Sequence, residues 1–231
     1  ITSREVELAF EAKDAYLNSR KRIQDNPWTG QPVAIVDMDD VLVDFRSCFA
    51  RWLKEAYGLS VNVESEEYYF ITELSKLELN PEEVFSNFIA QDGFLHLDPN
   101  FGARSFINEL KKRGYWIQIL TARPEEDLRC MYNTYQWLEK YNFHYDDIAF
   151  SSEKFRWCAK SKYYDSKSIA FAIDDSPKHA SEYAKHGINV KVPIKSYNKD
   201  LLAAYIKSLM LQYLNPKEFQ VIRLSYGLDC D

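Results

Sequence analysis

The chain is 231 residues long, enough for one domain of ordinary size or for a domain carrying an insertion. Its 46% hydrophobic and 28% charged residues are those of a globular protein, and no apolar run approaches the ~18 residues that a membrane span needs. A formal net charge of −6 with no basic block disfavours polymeric nucleic acid as a partner, because surfaces that track a phosphate backbone are ordinarily basic.

Residues 3–24 read as an amphipathic helix with Val6, Phe10, Ala12, Tyr16, Leu17 and Ile23 along its apolar stripe. Asn26-Pro27 and Thr29-Gly30 break it. Val33 to Val36 is then a short apolar run, β-branched at three of four positions, as in a buried parallel strand. After Phe45 the pattern turns helical, with Phe45, Phe49, Trp52, Leu53 and Tyr57 on one side and Gly58 as the terminator. Residues 65–78 read as one or two further helices. Asn80-Pro81-Glu82-Glu83 is a helix start, with Asn as cap, Pro at the first position and Glu at the third, and that helix runs to about Gln91. Residues 46–95 thus read as a small helical cap inserted after the first strand.

From Asp98 the chain alternates strands and helices. A helix from Asp98-Pro99 ends at Gly114, and Tyr115–Leu120 is a strand followed by a long helix to about Tyr141. Ile148–Ser151 is a short strand, Glu153–Tyr164 a helix, Ser168–Ile173 a strand, Pro177–His186 a helix and Ile188–Val192 a fifth strand. Five strands in such alternation predict an α/β fold with a parallel, three-layer sheet. Residues 1–45 and 96–231 form this core, with 1–26 as an N-terminal helix and 199–231 as a C-terminal extension: a terminal helix over 199–214, then a small strand or loosely packed chain.

Cys48, Cys130, Cys158 and Cys230 are scattered with no Cys-x-x-Cys, so they read as free thiols of a reducing, cytoplasmic setting. The sequence opens on Ile1, which leaves open whether residues precede it. His96, His144, His179 and His186 show no metal-ligand spacing and read as surface or capping residues.

Polar residues gather where four of these strands stop: Asp37 and Asp39, then Thr121, Lys154, and Asp174 with Asp175. Any one of them has a plain explanation, since Asp and Thr at strand ends commonly cap helices or turns. Their convergence on one edge of the sheet does not, and in open α/β sheets ligands bind at the carboxyl ends of the strands. Asp37 and Asp39 are two apart, so a strand period of two lets both face one site. Three lysines compete for the single cationic role. Lys154 comes first after the third strand and opens a helix, whereas Lys160 and Lys162 sit a turn or more further along.

In combination, Asp37-x-Asp39, Thr121, a Lys and Asp174-Asp175 resemble the four motifs of the haloacid dehalogenase superfamily of phosphohydrolases. Within it, Asp37-Met38-Asp39-x-Val41-Leu42-x-Asp44-Phe45 resembles the start of the 5′(3′)-deoxyribonucleotidases. Gly93-Phe94, Pro99, Gly102-Ala103 and Leu110 match the way that family leaves its cap. Asp40 stands where Gly is usual, and Thr121-Ala122-Arg123-Pro124, with Thr134 and Trp137-Leu138 downstream, is more similar to the polynucleotide-kinase-type 3′-phosphatases. The resemblance implies a Rossmann-like fold and a phosphomonoesterase acting on a small nucleotide. Two alternatives stand beside it: a phosphatase of polynucleotide ends, and a non-catalytic binding protein of the same fold.

A phosphomonoester dianion meeting a group of carboxylates is repelled by about 4 kcal/mol per like pair at ~4 Å and an effective dielectric near 20. A divalent cation is therefore expected, and an all-oxygen site favours Mg²⁺. The resemblance implies that Asp37, the backbone carbonyl of Asp39, and Asp174 hold the ion, with Asp175 bonding through water or as a further ligand. It implies Asp37 as nucleophile, Asp39 as the acid and then base, Thr121 as a phosphoryl hydrogen-bond donor, and Lys154 as counter-charge. Phe45, just past the acid, and Phe94, at the cap exit, are the candidate nucleoside contacts. Most other cap aromatics (Phe49, Trp52, Tyr68, Tyr69, Phe70, Phe85, Phe88) read as the cap's own core. Ala122 joins the phosphate loop, and Arg123 reads either as a phosphate or base contact or as a solvated helix start.

Overall fold

The computed structural model describes residues 2–199. Five strands form one parallel sheet in the order β3-β2-β1-β4-β5: β1 (Val33–Val36), β2 (Trp116–Thr121), β3 (Asp147–Phe150), β4 (Ile169–Ile173) and β5 (Val190–Lys191). The period of two along each strand divides the core. Ala34, Val36, Ile117, Ile119, Ile148, Phe150, Phe171 and Ile173 face one hydrophobic cluster, and Val33, Ile35, Trp116, Leu120, Ala149 and Ala172 face the other. Burial of both faces requires helices on each side. Helices α5 (Ala103–Lys112) and α6 (Leu128–Lys140) close the first face, and α7 (Lys154–Ala159) and α8 (Pro177–Lys185) close the second.

Between β1 and α5 lie α2 (Phe45–Tyr57), α3 (Ile71–Lys76), α4 (Pro81–Ala90) and a 3₁₀ turn (Gly93–His96), with no strand. Asp44 caps α2, Gly58 ends it in the left-handed region, and Asn80 with Pro81 starts α4. The aromatic core of this insertion is continuous with the first face of the sheet: Phe45 stacks on Phe49 at 5.4 Å and Phe88 meets Phe94 edge-on at 5.3 Å. Gly93 makes this contact possible, since a Cβ there would lie 2.3 Å from the Phe88 ring.

Several sequence expectations shift. The N-terminal helix α1 (Ser3–Asp25) buries Leu8, Ala12, Ser19 and Ile23, and leaves Val6, Phe10, Tyr16 and Leu17 exposed. The aromatics follow a helical period there without being the face that packs. Residues 65–78 are helical only over Ile71–Lys76, because Phe70 takes a left-handed backbone (φ 54°) that starts the helix late. Helix α5 begins at Ala103 rather than at Asp98, since Pro99 and Asn100 are engaged with the loop after β1. There, Asn100 N–H donates to Leu42 O, and its side-chain amide to Val41 O and Val43 O. Helix α7 stops at Ala159, and β5 keeps two residues because Ile188 N–H is bound by Tyr183 O and Pro193 has no N–H to extend the ladder. The expected helix over 199–214 and the tail after it lie outside the described residues.

Candidate active site

With all strands parallel, β1, β2 and β4 end on one edge, and their next residues meet there. Asp37 follows β1, its N–H bound to Ile173 O at 3.0 Å and its own Oδ1 accepting from Met38 N–H at 2.7 Å. Lys154, first residue of α7, reaches back under the edge. Its Nζ lies 2.7 Å from Asp37 Oδ1 and 2.7 Å from Asp174 Oδ2, and the residue is only 1% exposed. Lys160 and Lys162 instead line a separate depression between α1, α6 and α7. Asp174 Oδ1 also accepts from Ser176 N–H at 3.0 Å. Thr121, the buried last residue of β2, accepts from Arg123 N–H at 3.3 Å. It caps no helix, because α6 is capped by Asp127.

The carboxyl groups of Asp37, Asp174 and Asp175 offer oxygens within 4.8 Å of one another, and all three are buried. Burial pushes Asp37 up to about 6 despite the opposing pull of Lys154, and Asp174 adds to the rise. Asp175 is raised by burial and then by Asp37 and Asp174. Burial works against the Lys154 charge, yet Asp37 and Asp174 together hold it above the ordinary lysine value. One lysine for three acids leaves a negative excess, and a set of hard oxygen donors fits a hard divalent cation. The residues present therefore fit Mg²⁺. The Asp39 carboxylate is outside this set.

Asp39 is held elsewhere, by a residue whose role the sequence left divided. Arg123 grips it with two bonds, Nε to Oδ2 at 2.9 Å and Nη2 to Oδ1 at 2.6 Å. The third guanidinium nitrogen donates to Thr134 Oγ1 at 3.0 Å, and the plane lies 4.1 Å over the Phe94 ring. Such a fork-to-fork pairing fixes direction as well as distance. Arg123 is thus no solvated helix start; it is buried and aims Asp39. Asp39 therefore has a cation of its own, Arg123, in addition to the single lysine that the strand-end pattern supplies.

A cavity of about 470 Å³ opens onto these groups. Asp37, Asp39, Lys154 and Asp175 lie at its floor, Ala122, Arg123 and Pro124 on one wall, and Phe45, Phe94, Tyr68, Tyr69 and Phe85 come from the insertion or its hinges. Among the cap aromatics, most of which read as its own core, Tyr68, Tyr69 and Phe85 reach the cavity. His179 on α8 also lines it, a correction to its reading as a surface or capping residue. Burial, then the nearby Lys154, lowers it to about 4, so it presents a neutral imidazole. Tyr197 lines it too and had no local signal in the sequence; its contacts come from residues more than twenty positions away.

Similar folds are found in a protein assigned as a phosphoglycolate phosphatase from Lactobacillus delbrueckii subsp. bulgaricus (TM-score 0.51, 14% identity, covering 69% of this chain and 84% of that one). Another is a protein assigned as a phosphatase from Clostridium difficile (TM-score 0.50, 13% identity, covering 71% and 85%). A chain of the Pnkp1/Rnl/Hen1 complex is also similar, at a TM-score of 0.42 and 14% identity over 73% of this chain and 48% of that one, too distant to bear on substrate. The sheet, its order and these likenesses define an α/β, Rossmann-like fold of the haloacid dehalogenase type. No curated protein matches the sequence. The family described as 5′ nucleotidase, deoxy (Pyrimidine), cytosolic type C protein matches residues 31–206, and the chain belongs to that family. It is accordingly a phosphoric monoester hydrolase of the 5′-nucleotidase kind, a phosphatase of nucleotides. No helix among the described residues is long and apolar enough to cross a membrane.

Proposed function

We propose that the protein hydrolyses a deoxynucleoside monophosphate in the cytosol, with Mg²⁺, through an aspartyl-phosphate on Asp37. The observation that carries this reading is the pairing of Lys154 with both Asp37 and Asp174 on the floor of an aromatic-walled cavity. Asp37, Asp174, Asp175 and the backbone carbonyl of Asp39 would hold Mg²⁺, which supplies positive charge against the phosphoryl oxygens. Lys154 holds the Asp37 carboxylate in place and offsets its charge as the phosphate dianion approaches. Asp37 attacks phosphorus, and the P–O bond to the leaving alcohol breaks. Asp39, aimed by Arg123, gives a proton to that alcohol and then takes one from the water that hydrolyses the intermediate. Thr121 donates a hydrogen bond to a phosphoryl oxygen. Tyr69 and Phe85 offer aromatic surface to the nucleoside, while Ala122 leaves room at the wall. Phe45 and Phe94, expected from the sequence to contact the nucleoside, are buried, with Phe45 stacked on Phe49 and Tyr68 and Phe94 covered by Arg123. They back the wall behind Tyr69 and Phe85 rather than meet the base.

A panel of deoxy- and ribonucleoside monophosphates, set against 3′- and 5′-phosphorylated oligonucleotides with and without Mg²⁺, tests this. Release from deoxynucleoside monophosphates that requires Mg²⁺ is expected. Release from oligonucleotides alone points to the polynucleotide-end phosphatase, and release from none to the non-catalytic protein.

A further inference from the structure

Asp40 carries a backbone strain with no local cause. Its φ is 54°, in the left-handed region where a side chain costs about 1 kcal/mol or more and glycine costs nothing. Its side chain is buried, and two groups occupy it: Arg46 N–H donates to Oδ1 at 3.2 Å and the Tyr197 hydroxyl lies 3.1 Å from Oδ2. The same hydroxyl lies 2.5 Å from Asp175 Oδ2. A tyrosine has one hydroxyl hydrogen, so it serves these two oxygens in turn, with the shorter contact to Asp175. The carboxylate of Asp175 thus has one oxygen engaged by Tyr197. Its backbone is tied to the same turn, because Asn198 Nδ2 donates to Asp175 O at 2.8 Å and to Pro193 O at 2.9 Å.

The ring of Tyr197 has a second set of contacts, with the insertion. It meets Tyr68 edge-on at 5.0 Å, and the Arg46 guanidinium lies 4.8 Å over it. Arg46 is buried and, among the described residues, its guanidinium binds no carboxylate. It donates to Ser196 Oγ at 2.9 Å, Ser65 O at 2.8 Å and Glu67 O at 2.9 Å, and Ser196 Oγ donates to Ser65 O at 3.1 Å. The turn at 195–198 is therefore fastened to segment 65–68 of the insertion on one side and to Asp175 on the other.

We propose that Tyr197 is a positioning residue of this site: its hydroxyl sets Asp175 for the cation, and its ring, with Arg46, holds segment 65–68 over the cavity. The proposal rests on the metal-dependent reading above. Hydrogen bonds that orient a metal-binding side chain typically change metal affinity tenfold to a hundredfold when removed. Loss of the hydroxyl therefore weakens the cation site about tenfold, while loss of the Arg46 contacts acts on the roof and on nucleotide binding.

The test measures Mn²⁺ binding to the full chain by electron paramagnetic resonance without substrate, for wild type, Tyr197→Phe, Arg46→Met and Asp174→Asn. Melting curves establish that each variant is folded, and steady-state kinetics over a range of Mg²⁺ concentrations accompany them. Tyr197→Phe keeps the ring and should weaken Mn²⁺ binding about tenfold, and should raise the Mg²⁺ concentration needed for half-maximal phosphate release in the same proportion. Arg46→Met should leave Mn²⁺ binding within about twofold and raise the KM for nucleotide. Asp174→Asn should abolish tight Mn²⁺ binding. Wild-type Mn²⁺ affinity in Tyr197→Phe, with Asp174→Asn defective, overturns the role of Tyr197 and leaves the metal reading intact. Wild-type affinity in Asp174→Asn overturns both.

Discussion

Lys154→Met removes the cation around which the site is built, in a side chain of similar length. At 2.7 Å from each acid and an effective dielectric near 20, each attraction is about 6 kcal/mol before desolvation. Taking the three groups out of water offsets most of this, and breaking a buried pair from one side costs about 3–5 kcal/mol net. The variant at pH 7 should therefore lose about 3–5 kcal/mol in urea unfolding without Mg²⁺ and recover part of it when Mg²⁺ is added, since the ion replaces some of the missing charge. Phosphate release at saturating Mg²⁺ should fall about a hundredfold to a thousandfold, because the remaining acids repel the incoming dianion. Lys160→Met is the matched control and should change neither. Release by Lys154→Met within tenfold of wild type, or an equal loss in Lys160→Met, would refute the reasoning.

Three further outcomes follow from the same contacts. Burial raises Asp40 from 3.8 to about 6, so between these values the folded protein keeps a proton that the unfolded chain has released. Metal-free stability should rise as pH falls from about 7 toward 5, by about 1.3 kcal/mol from this group, and unfolding of Asp40→Asn should lack that share. A metal-free wild type whose stability is flat or falls over that range contradicts it. Arg123→Lys keeps the charge but loses the two-pronged grip on Asp39, and should lower kcat up to about a hundredfold with a small change in KM, read in steady-state kinetics. Gly93→Ala drives a methyl into the Phe88 ring and should cost about 1–3 kcal/mol in thermal or urea unfolding.

The strands are legible because most of each buried strand is an apolar run, and the acids after them because a carboxylate enters the core only when paired, as Asp147 in β3 is with Arg20. Lys154 was legible by position, as the first lysine after β3. What stayed hidden depends on partners distant in sequence. Arg123 reads like a helix-start cation until the fold brings Asp39, 84 positions earlier, against it. Tyr197 sits in a polar stretch, and only the sheet order places it between Asp40 and Asp175. His179 reads as a surface helix residue because the cavity wall it joins is made by other elements. The packed face of α1 differs from its apolar stripe for a related reason. Its aromatics follow a helical period, but the sheet and α6 accept the smaller Ala12 and Ser19 instead.

The covalent role of Asp37 is the claim on which the rest depends. Acid-quenched single turnovers with a deoxynucleoside monophosphate and Mg²⁺, digested and read by mass spectrometry, test it directly. The peptide spanning residues 33–45 should carry a phosphoryl group on Asp37 that disappears in Asp37→Asn together with phosphate release. Phosphate release by Asp37→Asn at the wild-type rate would contradict the account.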